Sequence, residues 1–198
     1  MLFRSSGVIS GSGNLKVSGG TLTLTGTNTY TGTTTLSSGS IRFNSDRAFG
    51  AVPGSLNTAA IVLQGTSAGF YAMSDLTWNT NRGITNNMSA GSTMTFGADG
   101  GITWTIGNAI TAGGSVGANQ NLNISCYSGC TDSSRSTIVL NGSFDYSGST
   151  TVDSRSIYQL TQANQIPDTS ALSLDYYSQL NLAGSDETVG SLASGYTT

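Results

Sequence analysis

The sequence predicts an all-β chain wound as a solenoid, and three observations carry that expectation. Runs of three to six residues with apolar alternation recur along the chain, separated by Gly, Asn, Ser or Asp. A block near the N-terminus returns near the C-terminus. No stretch keeps a helical hydrophobic period for ten residues or more.

The elements follow in order. Gly7 to Val17 reads as a short strand, a Gly/Ser turn and a second strand with Leu15 and Val17 on one face. Leu22 and Leu24 then point one way and Thr21, Thr23 and Thr25 the other, the period of two of a half-buried strand. Gly26 ends that run, Tyr30-Thr31-Gly32 turns the chain, and Thr33 to Leu36 opens the next strand. Ser40 to Phe43 follows, with Ile41 and Phe43 inward. Asn44 to Leu56 is polar and broken by Gly50, Pro53 and Gly54, so it reads as a longer excursion. One helical turn is expected there at Asp46 to Phe49, capped by Asn44 or Ser45. Further strands are expected at 60–63, 69–73, 76–78, 83–84, 92–96, 101–106, 121–124 and 137–140. Spacing near ten residues also suits a sandwich or barrel.

The internal repeat decides between them. A shift of 116 residues lays Thr21 to Leu36 on Thr137 to Val152, matching Gly26 to Gly142, Tyr30 to Tyr146 and Gly32 to Gly148. Self-similarity of this kind marks a solenoid, whose coils bury their apolar faces only against their neighbours. Repeat units are expected at about 7–64 and 137–192, with a more divergent middle at 65–136, all within one solenoid segment over 1–198. At roughly 20–25 residues per coil, the length gives about eight or nine coils.

Composition narrows the function. Only 9% of the 198 residues are charged and there are 27 glycines, so Thr, Ser and Asn must carry solubility. The net charge is −3 and the seven basic residues are scattered, which argues against nucleic-acid binding. No apolar run approaches a membrane span, and the N-terminus lacks the apolar region of a signal peptide. The chain starts inside a repeat, so a fragment of a longer protein is expected. With no histidine, Ser-His-Asp, Cys-His and metal–histidine sites are excluded. Cys126 and Cys130 form either a small disulfide loop, worth about 2 kcal/mol, or two free thiols in a loop.

The run from Gly7 to Leu36, with its glycine-rich turn, Leu15-x-Val17 strand and Gly20-Thr-Leu-x-Leu-x-Gly26-x-Asn28-x-Tyr30-x-Gly32 core, resembles the passenger-associated repeat of bacterial autotransporters. Leu180 to Leu192 looks like the segment that closes such a unit. The second copy departs from the first, with Phe144-Asp145 where Asn28-Thr29 stand. The resemblance implies a right-handed parallel β-helix, exported through the outer membrane and displayed extracellularly on the bacterial surface.

On that basis the expected role is a non-enzymatic stalk or display segment supporting adhesion or self-association, as aggregates or filaments. Its expected partners are other copies of itself or cell-surface glycans or proteins, with no cofactor. No catalytic or metal-binding residue is singled out. Gly26, Tyr30, Gly32, Gly142, Tyr146 and Gly148 are the repeat's structural fixed points. Two alternatives remain open. A polysaccharide-active enzyme would use carboxylates one coil apart, such as Asp153 and Asp175, or Asp132 with Arg155. An ice-binding solenoid would use the arrays Thr21-x-Thr-x-Thr25, Thr33-x-Thr35, Thr93-x-Thr95 and Thr103-x-Thr105. Asp99-Gly-Gly and Asp186-Glu187 read as turn chemistry rather than calcium loops. A strip of exposed aromatics is drawn from Tyr71, Tyr127, Tyr146, Tyr158, Tyr176 and Tyr177, with Tyr30 and Tyr146 reading as turn plugs. If Tyr176-Tyr177 lies in a strand, one ring points in and the other out.

Overall fold

A computed structural model describes residues 2–107, 110–112, 119–142 and 144–195. Ser143, the counterpart of Thr27 in the repeat, and residues 108–109 and 113–118 of the divergent middle lie outside the described residues. The alternation of apolar and polar residues produces strands, and every strand pairs in parallel with the equivalent strand of the next coil. The protein is a parallel β-solenoid.

Nine strands stack in chain order into the longer sheet: β1 (Leu2–Ser5), β2 (Leu15–Leu24), β3 (Thr34–Phe43), β4 (Asn57–Ala72), β6 (Arg82–Ala98), β9 (Asn121–Cys126), β11 (Thr150–Val152), β13 (Ala171–Leu174) and β15 (Ser191–Ser194). The short strand β8 (Ile110–Ala112) branches from β6. A second sheet stacks β5 (Leu76–Thr77), β7 (Thr103–Ile106), β10 (Ser136–Leu140), β12 (Ser156–Leu160) and β14 (Gln179–Asn181).

Three features depart from the sequence expectation. First, the residue step between partnered positions ranges from 19 (Leu2 opposite Thr21) to 34 (Thr103 opposite Thr137), wider than 20–25. The longer steps accommodate the 44–56 excursion and the strands of the second sheet. Second, β2, β3, β4 and β6 each fuse two expected strands around a corner. Gly20 (φ 67), Gly39 (φ 84), Gly65 (φ 75) and Gly91 (φ 75) take left-handed backbone angles at these bends, which glycine does without a Cβ penalty. The ladder shifts register there and continues past the bend. Third, Val8 and Ile9 form no strand, while β1 lies just before them.

The inward positions form ladders down the axis. One runs Leu22, Ile41, Phe70, Phe96, Ile124, Val152, Leu174; on the second sheet Leu76, Trp104, Ile138, Tyr158 and Leu180 form another. Where the coil widens, aromatic rings fill it: Phe43 meets Phe49 at 4.8 Å and Trp104 at 5.0 Å, Trp78 meets Trp104 at 5.0 Å, and Phe70 stacks on Phe96 at 6.1 Å. Edge-to-face and offset contacts of this kind add to the area each ring buries.

The excursion carries a single 3₁₀ turn at Asp46–Phe49, preceded by Ser45, whose side chain makes no capping bond. Its Ala48 and Phe49 are buried. Arg82, 2% exposed, holds the turn from the next coil: Nε donates to Asp46 Oδ1 at 2.8 Å and Nη1 to the Phe49 carbonyl at 2.7 Å. Its Nη2 reaches Asp46 Oδ2 and the carbonyls of Gly50 and Ala51, each at 3.3 Å. The planar guanidinium fork satisfies a carboxylate and a run of carbonyls at once.

Candidate functional site

Three of the repeat's fixed points, Gly26, Gly32 and Gly148, lie where one coil crosses close above another. At Gly26 a Cβ would collide with the Gly7 carbonyl, and at Gly32 with the Gly13 carbonyl. At Gly148 it would stand 2.6 Å from the Gln120 carbonyl oxygen. These glycines permit a close approach of backbones. The neighbouring turn is braced identically in both copies: Thr33 N–H donates to Asn14 Oδ1, and Ser149 N–H to Asn121 Oδ1, each at 2.9 Å. Tyr30 and Tyr146 are buried, and their hydroxyls share a 2.6 Å hydrogen bond with Thr34 and Thr150 respectively.

Sequence reading missed the two asparagines. Asn14 precedes Thr33 by one 19-residue coil and Asn121 precedes Ser149 by one 28-residue coil, so no single shift aligns them. It also missed the work of Asn28. That buried side chain accepts from Ile9 N–H at 2.8 Å and donates to the Ala48 carbonyl at 2.6 Å, joining the coils on both sides. In the second copy Phe144 occupies the position and packs on Phe96 at 5.9 Å. An apolar contact there takes the place of a polar bridge.

The exposed aromatics divide. Tyr146 and Tyr158 are buried, 4% and 0% exposed, so neither belongs to a surface strip. An alternating strand turns every second side chain inward, and Tyr158 takes the inward place of Ile138 on the next rung. Burial pushes both phenols well above the ordinary tyrosine range, against a lowering hydrogen bond from Thr150 for Tyr146. Tyr176-Tyr177 lies in a turn after β13 with Tyr177 at φ 56, so strand alternation does not govern the two rings. Arg155 stands 6.0 and 5.8 Å from their centroids.

Tyr71 and Tyr127 meet on the outer face of the longer sheet, ring centroids 4.6 Å apart. The Arg42 guanidinium lies 4.1 Å over the Tyr127 ring and pairs with Asp99 at 2.6 Å. Ser128 Oγ donates to Asp99 at 2.7 Å. Cys126 and Cys130 are joined in a disulfide, which closes the loop that carries Tyr127 and Ser128. Burial, then the nearby Asp153 carboxylate and Tyr127, raise the Tyr71 phenol above its usual range.

The carboxylates singled out for catalysis also have definite places. Asp132 pairs with Arg155 at 2.9 Å, both exposed to solvent. Asp153 and Asp175 follow the partnered residues Val152 and Leu174, so they occupy adjacent rungs. Asp153 accepts from Asn123 Nδ2 at 2.9 Å. Glu187 takes the N–H groups of Gln165 and Ile166 at 3.0 and 3.1 Å. Among the described residues no group of three acidic or cysteine side chains lies close enough to hold a metal ion. No helix among them is long and apolar enough to cross a membrane.

The threonine arrays do not stack on one another. Thr21-x-Thr23 lies beside Ser40-x-Arg42, and Thr95 between Gly69 and Asn123. Thr103-x-Thr105 lies beside Thr137-x-Val139, and Thr35 between Lys16 and Val62. Thr23, on the outward parity, is only 5% exposed with Arg42 as its ladder neighbour.

Stacked coils, braced turns and side chains spent on one another define a structural solenoid scaffold. Two stretches, residues 10–42 and 136–154, match the family model described as the Passenger-associated-transport-repeat. The chain therefore carries a repeat found in autotransporter passenger domains, a structural repeat rather than an enzyme family. No curated protein and no solved structure matches the chain.

Proposed function

We propose that this chain is a non-enzymatic display segment of an autotransporter-like surface protein, a stiff solenoid that projects from the cell and supports adhesion or self-association. The observation that carries the reading is the repeat match at 10–42 and 136–154, the two stretches that share the same tyrosine–threonine plug and asparagine-braced turn. On this reading 1–198 is one solenoid segment with units at 7–64 and 137–192 around a divergent middle at 65–136. Gly26, Tyr30 and Gly32, with Gly142, Tyr146 and Gly148, are its structural fixed points rather than a site of chemistry.

Antibodies raised against the purified segment test the display reading on the cells that make the protein. Intact cells should bind the antibody and lose it to added protease. Labelling that appears only after lysis contradicts display. Self-association is tested by sedimentation of the pure segment, where growth of the sedimentation coefficient with concentration is expected. A segment that stays monomeric at millimolar concentration removes that part of the proposal.

A further inference from the structure

The outer face of the longer sheet carries a pair of tyrosines held in place by a network of side chains. The ring of Tyr71 lies against two glycines, Gly69 of its own strand β4 and Gly97, its ladder partner on the next rung. A Cβ at Gly97 would stand 2.7 Å from Tyr71 Cδ1, and one at Gly69 2.9 Å from Cε2. Tyr127, 38% exposed, rises beside it at the rim of the ledge. The parts are fixed before any partner arrives. The disulfide closes the loop carrying Tyr127, Arg42 covers part of its ring, and Asp99 ties Arg42 to Ser128.

The charges within that network cancel, and Asp153 stands one rung on from Ser125 in the outward column that also holds Tyr71 and Gly97. It is half-buried, held through Oδ2 by Asn123, and close enough to Tyr71 to raise its phenol, while Oδ1 accepts no bond from the described residues. The same rung offers Thr151, half-buried and next to Asn123 in the outward column of Thr95.

We infer that the Tyr71–Tyr127 ledge is a binding platform for a neutral saccharide. The C–H faces of a hexose pack on tyrosine rings, and its hydroxyls donate to a carboxylate. Tyrosine supplies rigid amphipathic contact at small entropic cost, and a preformed site loses little freedom on binding. The uncompensated Asp153 charge favours a hydroxyl donor and repels an acidic sugar. The same rings would also cover exposed glycine backbone in a purely structural role, so the test must separate binding from stability. The inference gives the adhesion reading a ligand class, but its test uses the purified chain, so a failure here leaves surface display standing.

The experiment is saturation-transfer NMR on the oxidised chain with maltohexaose, cellohexaose and mannohexaose, with oligogalacturonate and oligolysine as controls. At least one neutral hexaose should give saturable transfer, and oligogalacturonate none. Tyr127→Ser and Asp153→Asn should each weaken binding about tenfold, a loss of about 1.4 kcal/mol. Thr151→Arg, which sets a bulky cation beside the Asn123 that holds Asp153 without replacing either ring, should abolish it. Opening the Cys126–Cys130 bond with dithiothreitol should weaken binding severalfold. The inference is overturned if no neutral hexaose binds, if binding survives all three substitutions, or if oligolysine binds in their place. It is also overturned if binding falls only in step with the thermal stability of each variant.

Discussion

Replacing Arg82 with methionine removes the tie between the 44–56 excursion and the coil above it. The guanidinium is 2% exposed and makes two bonds to Asp46 and one each to the carbonyls of Phe49, Gly50 and Ala51. Methionine fills much of the same volume, so little of the effect comes from a cavity. What remains is a carboxylate at 14% exposure, held only by Asn79 N–H at 3.3 Å among the described residues, and three carbonyls that have lost the guanidinium. Removing one partner of a buried ion pair costs about 3–5 kcal/mol, a large share of the total stability of a domain.

Urea unfolding followed by circular dichroism measures that loss, and hydrogen exchange locates it. Exchange should rise first at the amides of Ala48, Gly50 and Ala51, which bond to Ser45, Arg47 and Tyr30. Arg82→Lys, which keeps the charge without the fork, should fall between. Adding Asp46→Asn to Arg82→Met should restore part of the loss, since the stranded charge is then gone. A loss below about 1 kcal/mol for Arg82→Met, with unchanged exchange at those amides, would refute the reasoning.

Four other outcomes are expected. Tyr30→Phe and Tyr146→Phe each remove one buried hydroxyl bond in equivalent places, so each should cost about 1 kcal/mol and the two losses should agree. Gly32→Ala should cost about 1–3 kcal/mol by forcing the Gly13 carbonyl aside, measured by thermal unfolding. Asn28→Ala strands the Ile9 N–H and the Ala48 carbonyl and should cost about 2 kcal/mol, while Phe144→Ala should lose comparable stability through a cavity instead. Tyr146 and Tyr158 have folded-state phenols above the ordinary tyrosine value of about 10, so their protonated forms stabilise the fold below pH 10. Stability should therefore fall as pH rises above 10, by about 1.4 kcal/mol per pH unit for each, and a melting temperature flat from pH 9 to 11.5 would contradict this.

The architecture was legible because its signals are local or repeated. Alternation at Leu22/Leu24 and Ile41/Phe43 placed the inward faces, and the recurrence of Gly26, Tyr30 and Gly32 separated a solenoid from a sandwich. The fused corners were not legible, because Gly20 and Gly65 read as strand breakers when only their own neighbours are considered. In the structure they bend a strand whose hydrogen bonds go to other coils. The ledge was only partly legible. Tyr71 and Tyr127 stood out as candidate surface aromatics, but Arg42 pairs with Asp99 across 57 residues, a separation set by unequal coil lengths. The role of Gly97 depends on the Tyr71 ring of the neighbouring rung. Tyr158 was misplaced because β12 offers too few alternating residues to fix its parity from sequence.

The central claim is that distance along this molecule grows by rung and not by residue. Spin labels on the outward column at Thr21, Thr151 and Ala193 test it by pulsed dipolar spectroscopy. Thr21 and Thr151 are separated by five steps of the longer sheet, and Thr21 and Ala193 by seven. At about 4.8 Å per step, narrow distributions near about 24 and 34 Å are predicted, before the length of the label arms. Distances that shrink or fail to grow from the first pair to the second, or distributions spread over tens of ångströms, would contradict a rigid stacked scaffold.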